Sequence, residues 1–159
     1  MDNLKVQEDF LTAMRSITST VNVISAKLRE ERHAMTATSV ASLSLSPPAM
    51  IICVNKQASI HYLLKEGKQF TVNVLSVKQK DLSEVCSNSD EGESRFEDDG
   101  WVTEEDLVFN SNSIANIICE CTKVINHSTH SVFFGDVVEV KNNNSHKALL
   151  YTSGGYLVD

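Results

Sequence analysis

Proline and glycine are scarce in this chain, two and six among 159 residues, and there is one tryptophan. So few chain breakers exclude a collagen-like or low-complexity polymer, and 42% hydrophobic residues exclude an intrinsically disordered one. No apolar run approaches the ~20 residues that cross a bilayer as a helix. The opening, MDNLKVQEDF, has neither the basic end nor the apolar centre of a secretory signal. The expectation is a cytoplasmic protein with no membrane partner. GxGxxG and the P-loop are both missing, which removes the common glycine-rich nucleotide fingerprints. Cys53 and Cys86 stand alone, Cys119 and Cys121 are two apart, and no second Cys/His pair completes a zinc site. Four thiols in a reducing compartment, with no metal, are expected.

Positive charge is missing from one region above all. Between Asp81 and Asp106 eleven acids face a single base, Arg95, so this segment carries −10 of a total of −7 and the remainder is +3. With no basic stripe, nucleic acid is not an expected partner. The ordinary explanation of the acidic run is a solvated loop.

What the chain does have is a concentration of small hydroxyl residues. His33–Pro48, HAMTATSVASLSLSPP, places Thr36, Thr38, Ser39, Ser42, Ser44 and Ser46 ahead of the apolar run Met50–Val54. Short polar side chains make a thin wall against which a flat ligand can take hydrogen bonds from N–H and hydroxyl groups. The simpler reading is a Ser/Thr-rich edge strand with a loop.

Around that stretch the periodicity changes repeatedly. Val6, Phe10, Ala13, Met14 and Ile17 recur at helical spacing, predicting an amphipathic helix over Leu4–Ile17 with Asn3 as cap. Thr20–Lys27 and His33–Ser39 read as strands joined by the charged Leu28–Arg32 connection, and Met50–Val54 as a strand covered on both faces. Ser59 fits the N-cap of a helical patch over Ile60–Lys65; the same free N–H groups, with Lys56 nearby, suit a phosphate. Phe70–Val74 alternates as a half-buried strand. Ser76 and Gln79 form a capping box before a helix reaching about Cys86. Asn88–Gly100 reads as loop. Ser113–Ile125 and Val132–Val140 are strands, with Gly135 marking a bulge or a close backbone approach. Asn142–Ser145 turns into Ala148–Tyr151. Many strands, few helices and no βαβ rhythm predict one mainly β domain over 1–159, a closed or nearly closed antiparallel barrel. His130, at the mouth of a strand, is either a ligand contact or an exposed polar residue; Tyr151 and Tyr156 are either turn packing or a pocket rim.

The ordered string Phe10…Met14 with TVNVIS, MTATSVASLSLSPP, VNKQAS, FTVNVL, Arg95-Phe96, Thr129-His130, FFGDVVEV and LLY…GGY resembles the short-chain flavin reductases. These are the small components of two-component flavin-dependent monooxygenases, and the likeness is to the subgroup of 4-hydroxyphenylacetate 3-monooxygenase reductases. The resemblance implies an FMN-binding split β-barrel, antiparallel and Greek-key-like with a few short flanking helices. It also implies a homodimer that binds FMN or FAD, oxidises NADH or NADPH, and supplies an oxygenase component by flavin diffusion. Carried over by position, Thr36, Ala37, Thr38, Ser39, Val40 and Ser42 would line the isoalloxazine and ribityl chain. Asn55, Lys56 and Ser59 would hold the phosphate, Arg95 would reach phosphate or adenylate, and Tyr156 would join the cofactor contacts. His130 would sit where the nicotinamide stacks. The family often has Gly-Asp before this histidine, a hydroxyl at position 60 and a basic residue at 155. Here those places hold Ser128-Thr129, Ile60 and Gly155. Two other outcomes share the fold: a flavin-binding storage or sensor module, and an oxidase acting with bound FMN.

Overall fold

The computed structural model describes residues 2–158. A helix, α1 (Asn3–Arg15), leads into strands β1 (Ser19–Thr20), β2 (Asn22–Leu28), β3 (Glu31–Ala37), β4 (Val40–Leu45), β5 (Pro48–Asn55) and β6 (Gln69–Val74). Helix α2 (Lys80–Cys86) follows, then β7 (Trp101–Glu104), β8 (Leu107–Asn110), β9 (Ala115–His127), β10 (His130–Asn142), β11 (Leu150–Thr152) and β12 (Gly155–Leu157). Seven strands form one antiparallel sheet in the order β3-β2-β6-β9-β10-β5-β4.

That order decides the shape. β3 and β4 occupy opposite edges, yet only Thr38 and Ser39 join them. Six inter-strand gaps of ~4.8 Å would set the edges of a flat sheet ~29 Å apart. Three Cα steps of ~3.8 Å reach no further than ~11 Å. The sheet must therefore curl until its edges meet. Val40 N–H donates to Thr38 O at 2.9 Å, and Cys53 N–H donates to Ser39 O at 3.0 Å. No strand ladder links β3 to β4 among the described residues, so of the closed and nearly closed barrels expected it is the nearly closed one that forms, split at this seam.

The curled sheet encloses Ile24, Ile52, Val54, Phe70, Val72 and Phe133, together with Ile60 and Leu63 from the connection after β5. Because successive side chains alternate, Val21, Val23 and Ala34 point the other way, onto Leu75, Leu82, Cys86, Phe96 and Val108. β6 is buried on both faces rather than half-buried: Thr71 and Asn73 are fully covered. The cover is the β7–β8 hairpin, an element absent from the sequence reading. Asn73 bridges to it, accepting from Asn110 N–H at 2.8 Å, and also accepts from Asn116 Nδ2 of β9 at 2.8 Å. Gly135 combines both expected roles. The β9–β10 register shifts beside it, and a Cβ there would lie 2.6 Å from Phe70 Cζ and 2.7 Å from Cys119 Cβ.

Two caps differ from expectation. Asp2, not Asn3, caps α1, accepting from Leu4 N–H at 3.2 Å. The patch after Ser59 is a three-residue 3-10 turn, His61–Leu63, with no side-chain cap, so Ser59 caps nothing and there is no helix dipole behind it. The Ser76/Gln79 capping box is present as expected, opening a 3-10 turn that runs into α2. α1 buries none of its residues. All four cysteines are free thiols, and burial lifts Cys86 and Cys119 to about 12.

Candidate functional site

The residues singled out from the sequence gather along the seam in three groups. The first lies where β5 and β10 end together. His130 pairs with Asn55 in the strand register. Lys56 N–H donates to Thr129 O at 2.9 Å, and Lys56 Nζ donates to Ser128 O at 2.8 Å. Asn55 Oδ1 accepts from Gln57 N–H at 2.9 Å, an Asx turn that shapes the loop and does not use the amide nitrogen of this exposed residue. The exposed His130 ring meets Thr129 Oγ1 through Nδ1 at 2.8 Å. His61, which sequence reasoning missed, stands beside this group with Nε2 2.8 Å from Ser131 Oγ. Burial, and then the Lys56 charge, holds its pKa below the ordinary 6.5.

The second group joins the loop after β5 to β3. Arg95 is only 3% exposed. Its Nη1 donates to Ala34 O at 3.0 Å and to Ser59 Oγ at 3.4 Å, and its Nη2 to Asn88 O at 3.1 Å. The guanidinium thus supports Ser59 from below instead of projecting into solvent. Trp101 Nε1–H donates to Arg95 O at 2.9 Å, and the Phe96 ring packs against Trp101 at a 57° tilt with centroids 4.9 Å apart. Arg32 fixes the same acidic segment from above, lying 4.2 Å over the Phe96 ring and paired with Glu93 at 2.8 Å. Hydrogen bonding from Arg32 holds the Glu93 carboxyl below its usual range. His33 is held below 6.5 by burial and then by Arg95.

The third group flanks the β3 side of the seam. Thr36 Oγ1 donates to Ser83 O at 2.6 Å, so that hydroxyl hydrogen tethers α2. Ser83 Oγ and Tyr156 OH are 2.8 Å apart, and Tyr151 and Tyr156 meet edge to face at 5.3 Å. Thr36, Ala37, Thr38, Ser87 and the two tyrosines surround a cavity of about 260 Å³. Ser39 lies in the link itself, and Val40 and Ser42 belong to β4, the outer edge of the sheet. Ser42, opposite Met50, is set back along β5 from Asn55 and is the candidate farthest from His130 in the ladder.

His61 had one signal in the sequence. The alternation that turns Phe133 inward also turns Ser131 inward, and a buried hydroxyl needs a partner. Which residue supplies it is a contact across 70 positions, beyond any local pattern.

An antiparallel sheet rolled into a split barrel, with hydroxyls and an anion-seeking loop along its open seam, defines a class that holds a flat, phosphate-bearing ligand at its surface. The chain belongs to the family described as flavin reductase like domain, which matches residues 14–157. It is 33% identical over 154 residues to the reductase component of FADH(2)-dependent resorcinol hydroxylase from Rhizobium sp., covering 95% of this chain and 86% of that protein. It is 30% identical over 149 residues to FMN reductase (NADH) RutF of Yersinia enterocolitica, covering 91% and 80%. Among solved structures it is similar to BorF, the flavin reductase component of a bacterial two-component tryptophan halogenase. That match has a TM-score of 0.85 and 26% identity over 95% of this chain and 96% of BorF.

The donor set fits a flavin mononucleotide moiety. Lys56 Nζ keeps two N–H bonds beyond the one given to Ser128, Asn55 presents its amide nitrogen, and Ser59, accepting from Arg95, keeps its own proton to donate. Those are groups that a phosphate dianion takes in a charge-assisted set.

Proposed function

We propose that this chain is an NADH-dependent flavin reductase that delivers reduced FMN or FAD to a separate oxygenase. The observation that carries the reading is the family match spanning 14–157, which takes in all three groups at the seam. When bound, the flavin accepts hydride at N5 from C4 of the nicotinamide and leaves carrying two electrons. Lys56, Asn55 and Ser59 hold the phosphate, and Arg95 keeps Ser59 in place. Thr38, Ser39, Val40 and Ser42 offer backbone and hydroxyl groups along the ring and ribityl chain, while Thr36 and Ala37 shape the wall behind them. Tyr156 closes the rim with Tyr151. His130 orients the nicotinamide against the ring, so alignment rather than a side-chain proton transfer is the protein's contribution. A shallow site with modest contacts suits a flavin that is exchanged at each turnover.

The same reading takes 1–159 as one domain in a reducing cytoplasm, consistent with four unpaired thiols. It also pairs the chain with a second copy. Leu4, Val6, Phe10 and Met14 on α1 are 71%, 50%, 62% and 41% exposed, an apolar face that a partner copy would cover. Purified protein mixed with NADH and either flavin tests the activity. Flavin-dependent loss of the nicotinamide absorbance is expected; no loss with FMN or FAD overturns the reading.

A further inference from the structure

The loop after β5 and the turn joining β9 to β10 are tied at three points. Lys56 supplies two of them, to Thr129 O and Ser128 O. The third runs through His61. Ser131 is fully buried, and its hydroxyl donates to Asn126 Oδ1 at 2.7 Å. With its single proton committed, Ser131 Oγ can only accept from the ring 2.8 Å away, so His61 carries its hydrogen on Nε2. The ring is further braced edge-on against Phe133, centroids 5.4 Å apart. The turn held in this way is not one that relaxes on its own. Ser128 sits at φ 51, the left-handed region that favours glycine.

We propose that His61 is a positioning residue: through Ser131 it pins the Asn55–His61 loop to the β9–β10 hairpin, holding Lys56, Ser59 and His130 as one unit. This rests on the flavin-reductase reading, in which the loop takes the phosphate and the hairpin faces the nicotinamide. Without the His61–Ser131 bond, and beyond the strand pairing of Asn55 with His130, the hydrogen bonds left between the two segments among the described residues are those of Lys56, the residue on which the phosphate also draws. Loss of the pin should then weaken flavin binding and slow hydride transfer together, as a distant destabilising change would not.

The test uses the full chain with His61→Leu, His61→Gln and Ser131→Ala. Glutamine keeps an N–H donor near the place of Nε2; leucine does not. FMN affinity is read from flavin fluorescence without NADH, kcat from NADH oxidation at saturating FMN, and the Lys56–Thr129 bond from amide exchange at Lys56. His61→Leu is expected to weaken FMN about tenfold, the worth of one well-placed hydrogen bond, to lower kcat several-fold and to speed Lys56 exchange. His61→Gln should remain close to the parent in all three. Ser131→Ala should reproduce the leucine variant, and the double variant should add little beyond either. If the leucine variant fails to fold, Ser131→Ala carries the same comparison. Unchanged Lys56 exchange and FMN affinity in both overturn the proposal, as does a glutamine variant as impaired as leucine. Lys56 exchange is measured without flavin, so a parent protein that binds no FMN and oxidises no NADH fails the functional reading separately.

Discussion

At the scale of single residues, binding and turnover fall to different side chains. In the proposed site Lys56 is the cation that takes the phosphate, so Lys56→Ala should weaken FMN by about tenfold, as loss of a charge-assisted hydrogen bond would. Riboflavin, which lacks the phosphate, should bind the variant and the parent alike. Equal losses for both ligands would move the phosphate elsewhere. His130→Ala should do the reverse, lowering kcat by about tenfold or more while FMN affinity stays within about twofold, because the ring is assigned to alignment of the nicotinamide. Rapid mixing with NADH measures the first quantity and flavin fluorescence the second. An unchanged rate would remove His130 from the site. Gly135 carries a prediction of another kind. Gly135→Ala would press its new Cβ onto Phe70 and Cys119, and should destabilise the fold by about 1–3 kcal/mol through overpacking, read as a lower denaturation midpoint with an unchanged slope.

At the scale of elements, the acidic segment 88–101 acts as a strap across β3. Its buried anchor is Arg95, which bonds Ala34, Asn88 and Ser59 and whose carbonyl receives the Trp101 indole N–H. Arg95→Ala should shift Trp101 emission to the red and make the segment sensitive to protease, with weaker FMN binding because Ser59 loses its support. Emission identical to the parent would contradict the strap. His33 and His61 share a direction of titration. Each is held below 6.5 chiefly by burial, so just under that value the unfolded chain binds more protons than the folded one. Stability therefore rises with pH through this window and is lost as pH falls below about 6.5. Urea midpoints measured on either side should show it, and the slope should flatten in His33→Asn/His61→Gln; a midpoint that ignores pH in this range would contradict it.

At the scale of the whole molecule, much of the architecture was legible because it follows from local alternation. Met50–Val54, Ser113–Ile125 and Val132–Val140 fall within β5 and across most of β9 and β10, and the Ser76/Gln79 pair opens its turn. The remainder depends on contacts far apart in the chain. Thr71 and Asn73 look solvent-facing by pattern, and only the β7–β8 hairpin, arriving some forty residues later, makes them interior. Ser59 has the composition of a helix cap, but the chain turns once and leaves, so its partner is Arg95. The seam itself was legible as composition, a run of small hydroxyl residues, and not as topology. Only the strand order shows that β3 and β4 end at opposite edges and that two residues must draw them together. The exposed apolar face of α1 belongs to this scale too. Phe10→Ser/Met14→Ser should shift the protein toward monomer in sedimentation, and a parent that is already monomeric would contradict the pairing.

The most direct measurement of the central claim is an anaerobic titration with FMN in large molar excess over protein and NADH in excess over both. The account predicts that the whole flavin pool bleaches at the expense of an equal amount of NADH, because each flavin enters the seam, is reduced and departs. Bleaching that stops at one flavin per protein, or does not begin, would contradict it.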